Sequence, residues 1–510
     1  MPLLSTVAVA IAGLYLVYEI FRRLFLDYGD DVPTSIGIPL INDPAITDVP
    51  QFHIKMLEKA RATGHSVRRS VMPWKPWRST VYVGHPQVLR EIYVGKDWEA
   101  FDRPIKSQDP SQLYHAGGLI LVPNGKNWRG ARELFGKTFA NTTIKTYMPI
   151  FADKLAVLID LIGKEAKKNP SGFDIQAFYS RYTFDMITRL SFGEEMDVQH
   201  DFDSKYMKAW DDVLSISVIW QLGANVAGNW AFPGFLKAKH QASYKVITKI
   251  ILDGLANARA AKAAGAKTKN TRFSIVDDML THELPEFMEK DENEIVKQLM
   301  TLLFAGHDTT AATMSFLTYY LSLNPEWRKL IRDEVNAAVK PSDALTLETV
   351  ESFKYIGAAI KETLRHHPAA PVGTGRQMNR DLTVTYADKN GASRVANFKK
   401  GDIVFTDIYT TQMTQEFWNK PVDVWDPSRW LDDPLGGASS PFAFAPFGNG
   451  ARKCLGERLA LALTRLTLCE ILRKYDIQRA DDPTGKFKFV QNFTGTIKAE
   501  NGVGVKLVPV

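Results

Sequence analysis

The run Phe447-Gly448-Asn449-Gly450-Ala451-Arg452-Lys453-Cys454-Leu455-Gly456 sets one cysteine in a glycine-rich loop directly before a helix-forming stretch that starts near Glu457. Glycine reaches backbone conformations that other residues avoid, so such a loop can curl closely around a bulky group. The helix behind it turns its positive N-terminal end toward the sulfur, so Cys454 is expected to ionise readily and to serve as a thiolate metal ligand. The fold must therefore deliver a bulky group to this loop.

A lone cysteine is more often a small buried hydrophobe than a ligand. That reading suits Cys469, the second of only two cysteines in 510 residues, which falls on the helix after the loop. Two cysteines make a disulfide framework implausible and point to a reducing compartment. A hydrophobic content of 45% supports a large core, and no Pro/Gly/Ser linker separates independent units. The net charge of +6 is mild and scattered, which argues against a nucleic-acid role. Basic residues in 126–137 and 452–458 form a candidate docking patch for an acidic electron donor, although a solvated helix face explains them almost as well.

The N-terminus differs from the rest. Residues 3–18 are uncharged and mostly apolar, and the run extends to Phe21 if Glu19 snorkels to the interface. That length spans a bilayer at the short end. A basic n-region is absent, so the expectation is an uncleaved anchor. Arg22 and Arg23 follow the segment and no Lys or Arg precedes it, which places the body in the cytosol by the positive-inside rule. The division expected is an anchor over 1–23, a connector over 24–50 carrying prolines at 33, 39, 44 and 50, and one body over 51–510.

Helical periodicity begins near Gln51 and dominates from about Asn127 to Tyr320, with strand signals at Thr80–Val83, Leu382–Tyr386 and Ile403–Asp407. The fold class expected is mainly α with a small β portion. The apolar stretch Ile295–Leu323 is long enough to span a membrane, but His307, Asp308, Thr309 and Thr310 lie in its middle, so a helix through a large core fits better. Glycine at 306 lets the backbone approach a ligand and loosens the helix there. Thr309 can donate a hydrogen bond and Asp308 can hand on protons, whereas threonine on a helix often only bonds back to its own turn.

Glu362 and Arg365 form an acid–base pair at i, i+3, and Arg429 follows in Asp426-Pro427-Ser428-Arg429-Trp430. Trp128 and Arg132 share one helix face at i, i+4, and Arg376 lies just past Pro371. Each pattern is commonplace alone; their order along the chain is not.

Phe447, Gly450, Arg452, Cys454 and Gly456 match the Phe-x-x-Gly-x-Arg-x-Cys-x-Gly pattern of the cytochrome P-450 monooxygenases at every fixed position. The stretch 305–310 resembles that family's oxygen-binding segment, and the Glu-x-x-Arg, Pro-x-Arg-Phe and Trp-x-x-x-Arg segments recur in order, with Trp430 standing for the phenylalanine. The resemblance implies haem b with Cys454 as axial ligand of the iron and Phe447 beside the sulfur. It implies that Arg452, Trp128, Arg132 and Arg376 meet haem propionates, and that Gly306, Asp308 and Thr309 serve dioxygen and proton delivery. Glu362, Arg365 and Arg429 become a buried structural ion network. Thiolate ligation favours cleavage of the O–O bond.

The activity so implied is insertion of one oxygen atom of dioxygen into a hydrophobic organic substrate, by C–H hydroxylation or epoxidation, in the biosynthesis of a secondary metabolite or lipid. The body ends soon after the cysteine helix, so electrons are expected from a separate NADPH-dependent reductase at the endoplasmic reticulum membrane. Substrate walls are expected at Gln112–Gly118, Ile216–Phe232, Leu302–Ala305, Ala369–Gly375 and Phe493–Thr496, with Trp220, Trp230 and Phe232 as an alternative membrane-dipping entrance. Rival readings are a haem-thiolate isomerase or dehydratase acting on an oxygenated lipid, which the Asp308-Thr309 pair disfavours, and a haem sensor without turnover. A zinc site lacks ligands beyond Cys454 and dispersed histidines.

Overall fold

Apolar residues at helical spacing become helices along most of the chain in the computed structural model, which describes residues 28–36, 51–72, 75–103, 118–227, 232–264, 274–340, 343–493 and 495–510. Among these the helices are α1 (Phe52–Thr63), α2 (Pro86–Val94), α3 (Lys126–Thr138), α4 (Asn141–Lys168), α5 (Ile175–Phe192), α6 (Lys205–Ala227), α7 (Gly234–Ala263), α8 (Ile275–Thr281), α9 (Glu286–Lys290), α10 (Glu292–Leu323), α11 (Pro325–Ala338), α12 (Leu347–Ser352), α13 (Lys354–His366), α14 (Ile408–Met413), α15 (Arg429–Asp432) and α16 (Glu457–Lys474). The strands are β1 (Thr34–Ile36), β2 (Val67–Met72), β3 (Lys75–Val83), β4 (Phe101–Asp102), β5 (Phe173–Asp174), β6 (Arg376–Met378), β7 (Leu382–Ala387), β8 (Ser393–Phe398), β9 (Ile403–Thr406), β10 (Tyr475–Arg479), β11 (Gln491–Phe493), β12 (Ile497–Ala499) and β13 (Gly504–Pro509). The mainly helical architecture with a small β portion is the one expected.

Helix α10 is the axis of the body. Asp291 caps it by accepting from the Asn293 N–H at 2.9 Å, and Glu292 and Glu294 in its first turn suit the positive end of the helix. It stops at Asn324 because Pro325 has no N–H to continue it and opens α11 instead. At 1.5 Å per residue its 32 residues run about 48 Å. Most of them are buried, against α5 above all, so this helix is a core element. Among the described residues no helix is long and apolar enough to cross a membrane. The stretch 3–18 expected as an anchor lies outside the described residues.

The largest sheet runs β1-β2-β3-β9-β6-β4, with a second of order β10-β13-β5 and the hairpins β11-β12 and β7-β8. Thr34–Ile36, within the stretch read as connector, is its edge strand, paired in parallel with Arg69–Val71. Just before it, Asp30 makes a buried ion pair with Arg69 at 2.8 Å, and the Arg69 guanidinium lies 3.6 Å from the Tyr28 ring centre. The parallel register Thr80↔Ile403 brings β9 beside β3, which carries β6 and Arg376 to the edge of the cysteine loop's neighbourhood.

Candidate active site

The cysteine loop is shaped by its own backbone before any side chain acts. Gly448 and Gly450 take φ of +66° and +65°, a region costly for other residues. A Cβ on Gly450 would lie 2.0 Å from the Tyr93 carbonyl oxygen, so this glycine lets the loop dock on the end of α2. The close approach that sequence reading assigned to a ligand is here made by protein. The Cys454 N–H donates to the Phe447 carbonyl at 2.9 Å, closing the loop, and Phe447 packs against the main core.

The Cys454 sulfur accepts from the backbone N–H groups of Gly456 and Glu457, where α16 begins. Sequence reading predicted a readily ionised thiol; instead burial pushes the thiol up, the Glu457 carboxylate adds to that, and the two N–H groups with Arg132 only oppose it. Low-dielectric surroundings cost the thiolate more than two hydrogen bonds return. A coordinated metal ion reverses that balance, since its charge sits directly on the sulfur. Cys454 lies deep in the body, directly before the first turn of α16.

Around the loop sits a concentration of buried positive charge. Arg452 donates to Asn124 Oδ1 at 2.6 Å and to the Val122 carbonyl at 2.8 Å, and its guanidinium stacks 4.1 Å from the Trp128 ring centre. Arg376 is buried on β6 and reaches the Phe101 carbonyl at 3.3 Å. Arg103 joins them, donating to the carbonyls of Thr374 and Gly375 at 2.7 and 2.9 Å; sequence reading missed it, and no local spacing announces it. Burial lowers Arg452 to about 9, and Arg376 repels it further. Arg103 is held well below its ordinary value by burial and then by Arg376 and Arg452, with Asp102 as the nearby carboxylate.

Among the described residues, three crowded guanidiniums beside one carboxylate are short of negative charge. The Trp128 indole N–H is buried there without an acceptor among the described residues. These are the groups that two carboxylates of a haem would satisfy, so the residues fit that cofactor. Arg132 is tethered differently, donating to the Lys453 carbonyl at 2.9 Å, which ties α3 to the cysteine loop.

On α10, Thr309 Oγ1 donates to the Ala305 carbonyl at 2.6 Å, the back-bonded state of a helical threonine. Gly306 is not where sequence reading put it. A Cβ there would lie 2.5 Å from Ile187 Cδ1, so the glycine admits α5 and its role is helix packing. Asp308 is buried, with Oδ1 2.9 Å from Lys498 Nζ and 3.3 Å from His307 Nδ1. Burial raises its carboxyl, but His307 and Lys498 outweigh this and hold it below the usual carboxylate value. His307 Nε2 lies 3.0 Å from the Ser180 carbonyl, and burial lowers this imidazole to about 4.

Glu362, Arg365 and Arg429 come together in one buried cluster. Arg365 donates to both Glu362 oxygens at 2.8 and 3.0 Å, and Arg429 Nε donates at 3.1 Å. Arg365 also reaches the carbonyls of Gln412 and Val422, bracing the segment that leads to the cysteine loop.

Of the expected substrate walls, Ala369–Gly375 meets the strand that follows Phe493–Thr496, since the Ile497 N–H donates to the Ala369 carbonyl at 3.0 Å, while Thr494 lies outside the described residues. Gly118 packs against Lys297 and Thr301 of α10, while 112–117, Trp230 and the side chain of Trp220 lie outside the described residues. Phe232 is buried against Ile216 and does not reach outward. Of the basic patch, Lys126 pairs with Glu286 at 2.9 Å, Arg129 with Glu99 at 3.2 Å and Lys453 with Glu457 at 2.5 Å, so much of its charge is internally matched.

A family model described as Cytochrome P-450 matches residues 48–501. The chain belongs to the cytochrome P-450 family. The Caenorhabditis elegans protein that carries the name cytochrome P-450 CYP13A8 is 26% identical to it, over 79% of this chain and 81% of its own. Cytochrome P-450 3A6 of Oryctolagus cuniculus is 24% identical over 76% and 75%, and cytochrome P-450 3A30 of Fundulus heteroclitus 22% over 84% and 83%. Membership makes this chain a haem-thiolate monooxygenase in general terms, with thiolate-ligated haem b as cofactor. It also implies a redox partner and hydrophobic substrates.

Proposed function

We propose that this cytochrome P-450 hydroxylates or epoxidises a hydrophobic small molecule in the biosynthesis of a secondary metabolite or lipid. Its electrons come from an NADPH-dependent flavoprotein reductase, with both proteins at the endoplasmic reticulum membrane and this body facing the cytosol. The observation that carries the reading is the Cys454 sulfur at the start of α16, held by two backbone N–H groups beside the Arg103, Arg376 and Arg452 cluster.

Haem b ligated by Cys454 supplies dioxygen activation when bound. The chain's own groups do the rest. Arg103, Arg376 and Arg452, with the Trp128 N–H, hold the cofactor's carboxylates and fix its orientation. Arg132 and the Phe447 carbonyl keep the cysteine loop closed around the sulfur. Glu362, Arg365 and Arg429 brace that loop from behind and take no part in chemistry. Thr309 faces the reacting site with a hydroxyl that can leave the Ala305 carbonyl, and Asp308 holds the exchangeable charge beside it. The walls at 302–305, 369–375 and 493–496 exclude water and orient an apolar substrate.

The test is to compare metabolites of the native host carrying either the intact protein or Cys454→Ala. Accumulation in the variant of a compound lighter by one oxygen, with the label of isotopic dioxygen in its wild-type partner, supports monooxygenation and names the substrate. Pairs of equal mass point to rearrangement chemistry and overturn it.

A further inference from the structure

The hairpin of β11 and β12 carries the expected wall at 493–496, in the register Gln491↔Ala499, Asn492↔Lys498 and Phe493↔Ile497. Two strands alone are marginally stable in water, so the place of this wall is set by whatever the hairpin is fastened to. At the Ala499 end the fastening is α5, because the Gln176 side chain donates to the Ala499 carbonyl at 2.9 Å and accepts from its N–H at 3.0 Å. At the Gln491 end it is α1, an element that sequence reading did not assign to the site.

Gln491 is held through both its backbone and its side chain. Its carbonyl accepts from the side chain of Gln51, one residue before α1, and its Oε1 lies 2.9 Å from His53 Nε2 in the first turn of that helix. A carboxamide oxygen only accepts, so His53 Nε2 carries the proton and Nδ1 is the bare nitrogen of the neutral ring. That nitrogen is buried without a partner among the described residues, which leaves the bond to Gln491 as the polar tie of His53 there. The ring is kept in place by Tyr409 of α14, edge-on with centres 4.9 Å apart. The wall residue rests on the same joint: the Phe493 ring centre lies 6.3 Å from that of Phe52 and 6.2 Å from that of His53. Three residues further on, Thr496 is 2% exposed, and its hydroxyl has no partner among the described residues. A buried hydroxyl of that kind suits a wall that a ligand completes.

We propose that Gln491 is the positioning residue of this substrate wall: by tying β11 to Gln51 and His53 it holds the hairpin against α1 and fixes the place of Phe493, and with it which apolar molecules fit. Gln491 takes no part in chemistry and acts through Phe493 and the residues after it. The inference deepens the monooxygenase reading and rests on it.

The experiment uses full-length haem-loaded protein and two ligands of haem iron: imidazole, too small to press on the walls, and 1-phenylimidazole, which carries an apolar ring beyond the iron. Dissociation constants are read from absorbance difference spectra. Gln491→Leu keeps the bulk of the side chain and removes its acceptor; it is expected to weaken 1-phenylimidazole about tenfold and to leave imidazole unchanged. His53→Phe keeps a ring against Phe493 and Tyr409 but loses the N–H, and is expected to do the same. The double variant is expected to lose no more than either single one, because both remove one bond. His53→Gln, whose amide N–H reaches toward the same oxygen, restores the wild-type ratio. Equal weakening of both ligands, additive losses in the double variant, or no change in the ratio overturn the proposal. Should Gln491→Leu fail to hold haem, the contrast between His53→Phe and His53→Gln decides it alone. Oxygen consumption by the wild type with NADPH and a purified reductase is measured separately: its absence removes the monooxygenase reading and this inference with it, and where it is present the azole ratios alone decide the role of Gln491.

Discussion

The indole N–H of Trp430 donates to Glu362 Oε2 at 2.9 Å, so the residue that replaces the family's phenylalanine is a working member of the buried ion network. A carboxylate with no exposed surface needs every lone pair engaged, and here Arg365, Arg429, the Asp426 N–H and Trp430 surround it. Trp430→Phe keeps the ring and removes one donor. The expected cost is about 1.5–3 kcal/mol, the range for a hydrogen bond to a charged group. Urea unfolding of the haem-loaded variant measures it.

The same carboxylate sets an acid limit. Burial alone would raise Glu362, but hydrogen bonds from His366 and Arg365 and the Arg365 charge win, bringing it down to about 2. A group whose folded value is depressed stabilises the fold above its unfolded value near 4.3 and loses that contribution as pH falls through the folded one. The loss expected between about pH 4.3 and 2 is on the order of 3 kcal/mol. Glu362→Gln is expected to be less stable at neutral pH and flatter across that window in acid-unfolding curves.

His85 acts one step earlier on the pH scale. Burial brings it to about 4, and it caps α2 by accepting from the Gln87 N–H at 3.3 Å through Nδ1. Protonation would turn that acceptor into a donor. Its folded value is again the depressed one, so stability present above pH 6.5 is lost as pH falls toward 4. His53 and His307, also at about 4, lose theirs in the same window. His85→Asn retains a cap without the titration, and the slope of stability against pH between 6.5 and 4 is expected to fall by roughly one proton.

Arg103 tests the charge cluster. It stands with Arg376 and Arg452 around a deficit of negative charge, and Arg103→Leu relieves their mutual repulsion. The apoprotein is therefore expected to be as stable as wild type or more so, while haem dissociates faster. Transfer of haem to an acceptor protein, followed by absorbance, separates the two effects.

What sequence carried and what it withheld divide along one physical line. Features set by near neighbours were legible: the turn of the cysteine loop, the start of α16 at Glu457, the extent of α10, and the Glu362–Arg365 pair at i, i+3. Arg429 was legible by the order of motifs, although its partner is far along the chain. Lys498 and Arg103 were not, because each acquires its meaning from residues hundreds of positions away and sits in a stretch without internal pattern. The burial that raises the free Cys454 thiol was not legible for the same reason: the helix end is local and visible, but the depth of burial belongs to the whole fold.

Gly306 gives the sharpest separation of the two readings of one residue. A glycine that serves a ligand tolerates a methyl group by losing only function, whereas one that admits α5 loses stability. A Cβ at 306 meets Ile187 Cδ1 at 2.5 Å and Cγ1 at 2.8 Å, and Ile187 is itself buried. Replacing glycine by alanine in a helix gains about 1 kcal/mol, while overpacking a core contact costs about 1–3 kcal/mol. Gly306→Ala alone is therefore expected to destabilise the protein. In an Ile187→Ala background the contact is gone and only the helical gain remains, so the same substitution is expected to stabilise by about 1 kcal/mol. Equal effects in both backgrounds, measured by urea unfolding, would return Gly306 to the ligand side of the helix.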